Sequence, residues 1–243
     1  TLNIKTNIMK YLFLFLFVFT LMSCAELHQV ANQFPELDQN GGLDINAGLK
    51  EALNNGITKQ VSKLTATDGF YKNELVKILL PEELQKVDKA LRSVGMSSLA
   101  DEGLKVLNRA AEDAVKEATP IFVAAVKNMS FTDAKNILMG NNQAATTYLQ
   151  NATTTALYAK FNPVIKNSYS KVGADKVWAN IITKYNALPL TKDVNPDLTD
   201  YTTHKAMDGV FKMIAVEEVN IRTNLNARTS DLLKKVFAMQ DKK

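Results

Sequence analysis

SSLADEGLKVLNRAAEDAVKEAT runs from Ser97 to Thr119. In it Leu104, Leu107, Ala111, Ala114 and Ala118 recur at steps of three and four. Lys105, Arg109, Glu112, Asp113 and Lys116 fall largely on the opposite side, so the spacing predicts an amphipathic helix. Outward from it the same period continues in both directions. Upstream, Pro81-Glu82-Glu83 reads as a first helical turn, with proline pre-set for the opening position and two acids at the positive end. Gly95 stops that helix. Phe70 to Leu80 is an apolar run that fits a buried extended segment or a short helix equally well. Asp68-Gly69 marks a turn before it. Asp44 is expected to cap an earlier helix carrying Leu49, Leu53, Ile57 and Leu64.

Downstream, Pro120 kinks or restarts the chain, and Ile121 to Val126 continues as an apolar turn or two. Ser130 should cap a short helix that Gly140 ends. From Gln143 the line Ala145, Leu149, Ala152, Ala156, Ala159 makes a stripe of small residues suited to close packing. Asn162-Pro163 reads as a new cap and first-turn proline, with Gly173 closing that helix. Ala174 to Ala187 carries Trp178, Ile181, Ile182 and Tyr185. A loop from Pro189 to Pro196 precedes a long helix from about Leu198 to Arg222, and Thr229 to Met239 forms the last. No alternating pattern exceeds four residues, and no hairpin signal or fixed-period repeat occurs. The prediction is all-α: one compact domain over residues 43–243 with nine or ten helices.

Ahead of it stands a leader. Lys10 precedes Tyr11 to Met22, a run of twelve residues that is apolar except for Thr20. Twelve helical residues cover roughly 18 Å, too short for a hydrocarbon core about 30 Å thick. They suit a secretory signal over residues 9–23. The ending Leu21-Met22-Ser23-Cys24 resembles the lipobox of bacterial lipoproteins, which implies lipidation of Cys24 and anchoring to the envelope. Alanine at position 25 implies the outer membrane, facing the periplasm. Residues 1–8 precede Met9, the expected start, and residues 24–42 read as a polar linker broken by Pro35. His28 falls in that linker.

Balanced charge narrows the function. From Cys24 onward 27 basic residues face 25 acidic ones, a net +2. That argues against a dedicated nucleic-acid binder. One cysteine excludes intrachain disulfides. There is no Gly-x-Ser-x-Gly, no phosphate-cradling loop and no dinucleotide fingerprint, and no cofactor or metal is expected. Asp200, His204 and Asp208 share one helix face at i, i+4 and i+8, a spacing that could hold a divalent cation but ordinarily marks a solvated face. Glu217 interrupts the stripe Val210, Ile214, Ile221. A carboxylate there must be paired or neutralised, and Arg109 or Arg228 across a helix interface is the expected partner, with a ligand or catalytic role as the alternative. Glu218 and Arg222 read as an i, i+4 surface pair. Met129, Met139, Met207 and Met213 read as core filling.

Five strings taken in order resemble one family: Leu80-Pro81-Glu82-Glu83-Leu84, Leu107-Asn108-Arg109-Ala110-Ala111-Glu112, Ala156-Leu157-Tyr158-Ala159-Lys160-Phe161, Asn195-Pro196-Asp197-Leu198-Thr199-Asp200-Tyr201, and Arg228-Thr229-Ser230-Asp231-Leu232-Leu233. They are similar to the exported helical bacterial proteins of the domain-of-unknown-function family forty-one ninety-seven. The resemblance implies a single helical domain behind an export signal, supplies no reaction, and implies no dependence on a histidine at position 204. The expected function is a membrane-anchored binding or scaffold module, bound to the membrane through its N-terminal lipid and to a protein or small apolar ligand. The alternatives are a periplasmic carrier of a lipid or small apolar ligand and, behind it, a carboxylate-dependent hydrolase or lyase.

Overall fold

In the computed structural model the described residues are 35–93, 95, 97–186 and 197–241. They form nine α-helices and one short 3-10 turn, with no strand among them. The helices are α1 (Pro35–Thr65), α2 (Glu82–Ser93), α3 (Ser97–Val115), α4 (Ala118–Asn128), α5 (Phe131–Leu138), α6 (Ala144–Val172), α7 (Ala174–Asn186), α8 (Thr199–Thr223) and α9 (Asp231–Phe237). Residues Asn46–Lys243 make one compact unit. The signal and lipobox (9–24), His28 and the Pro189–Pro196 loop lie outside the described residues.

The all-α reading holds, and α3 forms with one buried face as the periodicity required. It packs against α6 and α8, and those two pack most extensively on each other. Leu107, Ala110, Ala111, Ala114 and Val115 of α3 are buried. Leu149, Leu157, Phe161 and Ile165 of α6 are wholly buried at steps of four and eight, and each such side chain stabilises by about 1.5–3 kcal/mol. Phe122 of α4 meets Phe211 of α8 edge to face, ring centres 5.9 Å apart, a geometry worth roughly 0.5–1.5 kcal/mol beyond area burial.

Four local expectations change. The helix expected from Asp44 starts at Pro35, so residues 35–42 of the expected linker are helical. Pro35 occupies the opening turn, where its missing N–H removes no intrahelical bond. Pro163 does not begin a helix but lies inside α6, because the packing of Leu157, Phe161 and Ile165 on either side of it outweighs one lost backbone bond. The small-residue stripe turns outward at Ala152, Ala156 and Ala159, because the larger side chains of the neighbouring line bury more apolar area. Glu112, assigned to the polar face of α3, is buried. Elsewhere the punctuation behaves as read. Ser130 and Asp133 form a reciprocal capping box at α5, and Gly173 ends α6 in the left-handed region at φ 67°.

Candidate functional site

The run Phe70 to Leu80 resolves as an irregular, partly extended segment held by side chains of α3. Asn108 is fully buried. Its Oδ1 accepts from the Ile78 N–H at 2.8 Å, and its Nδ2 donates to the Ile78 carbonyl at 2.9 Å. One amide thus pairs with Ile78 as a neighbouring strand would. A turn further along, Glu112 accepts from the Phe70 N–H at 3.1 Å and from Arg109 at 2.6 Å. Arg109 also binds Asp68, a non-glycine residue at φ 68°. Hydrogen bonding from Lys72, aided by the Arg109 charge, holds the Asp68 carboxyl below its ordinary value.

This anchoring sets Val76, Ile78 and Leu80 inward and turns Leu79 outward, 57 % exposed. Across from the segment runs the outer face of α8. Its Tyr201 hydroxyl donates to the Leu79 carbonyl at 2.8 Å. Gly209 lets α8 come close, since a Cβ there would lie 2.6 Å from the Phe70 ring. Between the two elements lies an open groove of about 640 Å³. Leu75 and Leu79 supply its exposed apolar surface, while Lys77, Lys205, Asp208 and Lys212 supply charge. Lys205 lies over the Tyr201 ring, 5.8 Å from its centre.

The residues singled out from the sequence do not converge. Glu217 is 8 % exposed, as its place in an apolar stripe required. Its partners, however, are Lys59 at 2.6 Å and Gln60 at 2.7 Å, both on α1. Neither Arg109 nor Arg228 reaches it. Arg109 is spent on Asp68 and Glu112. Arg228 is buried beyond the end of α8, where it donates to the Ile221 and Arg222 carbonyls and pairs with Asp241. The expected pairing fails because α1, not α3 or the C-terminal segment, covers the Glu217 turn of α8.

Glu218 and Arg222 overturn the surface-pair expectation. Both are buried. The Glu218 carboxylate accepts from the Ala145 and Thr146 N–H groups at 2.9 Å each and from the Thr146 hydroxyl at 2.8 Å. It therefore caps α6, whose own N-cap residue Gln143 gives no side-chain bond. Arg222 binds Glu218 at 2.8 Å and donates to the Ile137 and Leu138 carbonyls, closing the end of α5. One pair thus ties both ends of the α5–α6 connection.

Asp200, His204 and Asp208 do share one exposed face. Asp200 accepts from Tyr158 at 2.7 Å, and His204 Nδ1 lies 3.0 Å from the Asp200 backbone carbonyl. Among the described residues no three His, Cys, Asp or Glu side chains gather closely enough to hold a metal ion, and none of the helices is long and apolar enough to cross a membrane. The groove was missed from the sequence. Its signal, an outward Leu79 between inward Ile78 and Leu80, spans too few residues to stand out.

Fold and site together define an all-α domain with an open, mixed apolar and charged groove. The family model described as "Protein of unknown function (DUF4197)" matches residues 39–238, and the chain belongs to that family. No curated protein and no solved structure matches it.

Proposed function

We propose that this chain is an envelope-tethered, non-catalytic binding module whose docking surface is the groove between the Leu75–Leu80 segment and α8. The observation that carries this is the contrast between outside and inside. The groove offers about 640 Å³ open to solvent, whereas the apolar cavity between α1 and α8 holds about 30 Å³, room for roughly one water. A carrier would need several hundred Å³ of enclosed apolar space; this cavity and the one of about 200 Å³ lined by Tyr169, Trp178 and Leu198 are both smaller, which supports docking over carriage. A carboxylate-dependent enzyme would need a free oxygen aimed at substrate. Both Glu217 oxygens already accept hydrogen bonds from α1, which supports an architectural role for it.

Tethering rests on the leader: a short apolar run closed by Ser23-Cys24 suits lipidation and a location at the outer membrane facing the periplasm. Two experiments test the proposal. A photo-crosslinking amino acid placed at Leu79 should yield a discrete adduct in envelope preparations, and one at exposed Val172 should not; equal yields refute the docking surface. Cys24→Ala should release the chain from the membrane fraction, and unchanged retention refutes the tether.

A further inference from the structure

Resting on that docking surface, we infer that its occupant is an extended polypeptide segment that adds as a strand to the Leu79 edge and sets an acidic side chain against Lys212. The Asn108 amide takes the Ile78 N–H and carbonyl. In an extended chain the groups of the flanking residues point the other way, and the Tyr201 bond to the Leu79 carbonyl places that other side on the groove. On this edge the Leu79 N–H and the Lys77 carbonyl have no partner among the described residues. A donor and an acceptor two residues apart are what one added strand pairs with.

The groove wall decides between occupants. Lys205 is engaged by Tyr201 and Asp208, and Lys77 lies over Tyr71. Lys212, exposed one turn beyond Asp208, has no partner among the described residues. A carboxylate on the occupant complements it. Leu75 and Leu79 offer apolar surface to alternate side chains of such a strand. A lipid chain could cover the leucines but would leave the Leu79 N–H and Lys77 carbonyl unpaired. A second copy of the domain would bring its own groove walls against these. A thin, extended peptide meets all three demands.

The test uses phage-displayed random dodecapeptides selected on the folded domain, followed by synthetic versions of the selected sequences. Leu79→Pro removes a single N–H that no described residue accepts, so the fold should be kept, which a thermal melt checks. Leu79→Ala removes the same side chain and keeps the N–H. Peptide affinity is expected to fall about tenfold further in Leu79→Pro than in Leu79→Ala, the weight of one hydrogen bond. Lys212→Glu should weaken acidic peptides several-fold, and exchanging the peptide's acid for lysine should restore them. Equal affinity of the proline and alanine variants overturns strand addition and leaves the docking surface standing. Enrichment of no peptide, with a Leu79 crosslink still formed, overturns it in favour of a folded partner. Phosphatidylglycerol vesicles that bind through Lys212, where peptides do not, overturn it in favour of a lipid surface.

Discussion

Glu218→Ala tests most directly how this fold is closed. The substitution removes the acceptor for two N-terminal amides and a hydroxyl of α6 and leaves Arg222, 4 % exposed, without its counter-ion. Losing a helix cap costs about 1 kcal/mol, and breaking a buried ion pair by deleting one partner costs roughly 3–5 kcal/mol. The two overlap, because Arg222 keeps the Ile137 and Leu138 carbonyls and Gln240. A net loss of about 4 kcal/mol follows. At 2–4 °C per kcal/mol for a domain this size, the melting temperature should fall by roughly 8–16 °C. A surface i, i+4 pair would be worth only a few tenths of a kcal/mol, about 1 °C. Differential scanning calorimetry at pH 7 in low and high salt separates the cases, since a buried pair is little screened. Hydrogen exchange adds a local reading: the Ala145 and Thr146 amides should lose protection. A drop of under 2 °C, or a pair that salt abolishes, would refute the assignment.

Three further outcomes follow from other contacts. Asn108→Ala orphans the Ile78 N–H and carbonyl, each costing about 1–3 kcal/mol, so chemical denaturation should show a loss of roughly 2–5 kcal/mol and Ile78 should exchange faster. Gly209→Ala puts a methyl 2.6 Å from the Phe70 ring, and overpacking of that kind should cost about 1–3 kcal/mol by the same assay. Hydrogen bonds from Lys72 lower the Asp68 carboxyl, those within the Ser130–Asp133 box lower Asp133, and those from Arg228 lower Asp241. A carboxylate whose folded value is depressed contributes above its unfolded value and loses that contribution as pH falls through the folded one. Melting temperature should therefore hold down to about pH 5 and decline through pH 4 and below, with Asp133→Asn and Asp241→Asn each reducing the slope.

The helices were legible where one face is simply apolar. In α3 the stripe of leucines and alanines sufficed, and of the four apolar residues expected to pack in α9, Leu233, Val236 and Phe237 are buried while Leu232 is half-buried. Boundaries were less legible, because a signal such as Asn162-Pro163 is local while the packing that overrides it is not. Charge placement was least legible. Glu217 announces itself by interrupting an apolar stripe, but nothing near it in sequence names Lys59 and Gln60, more than 150 positions earlier. Glu218 and Arg222 look like an ordinary exposed pair because i, i+4 spacing is the same inside and outside. Only the approach of the α5 and α6 ends converts that pair into a clamp.

These buried charges and the groove meet on one helix. The inner face of α8 binds α1 through Glu217, the start of α6 through Glu218 and the end of α5 through Arg222. Its outer face presents Tyr201, Lys205 and Lys212 to the groove. Deleting a partner of a buried charge costs several kcal/mol, so α8 is fixed against sliding or rotation by contacts at three of its neighbours. The opposite wall is fixed separately by Asn108 and Glu112. A groove whose two walls are held by independent polar anchors keeps its width without an occupant. Binding then costs chiefly the ordering of the incoming segment, and affinity gained by preorganising the host is lost first when an anchor behind the wall is cut. Asn108→Ala should accordingly weaken groove ligands more than Glu217→Gln does, although both changes lie in the interior and neither touches the ligand. Titration of one selected peptide into both variants checks this, and equal weakening would show that the walls do not act independently.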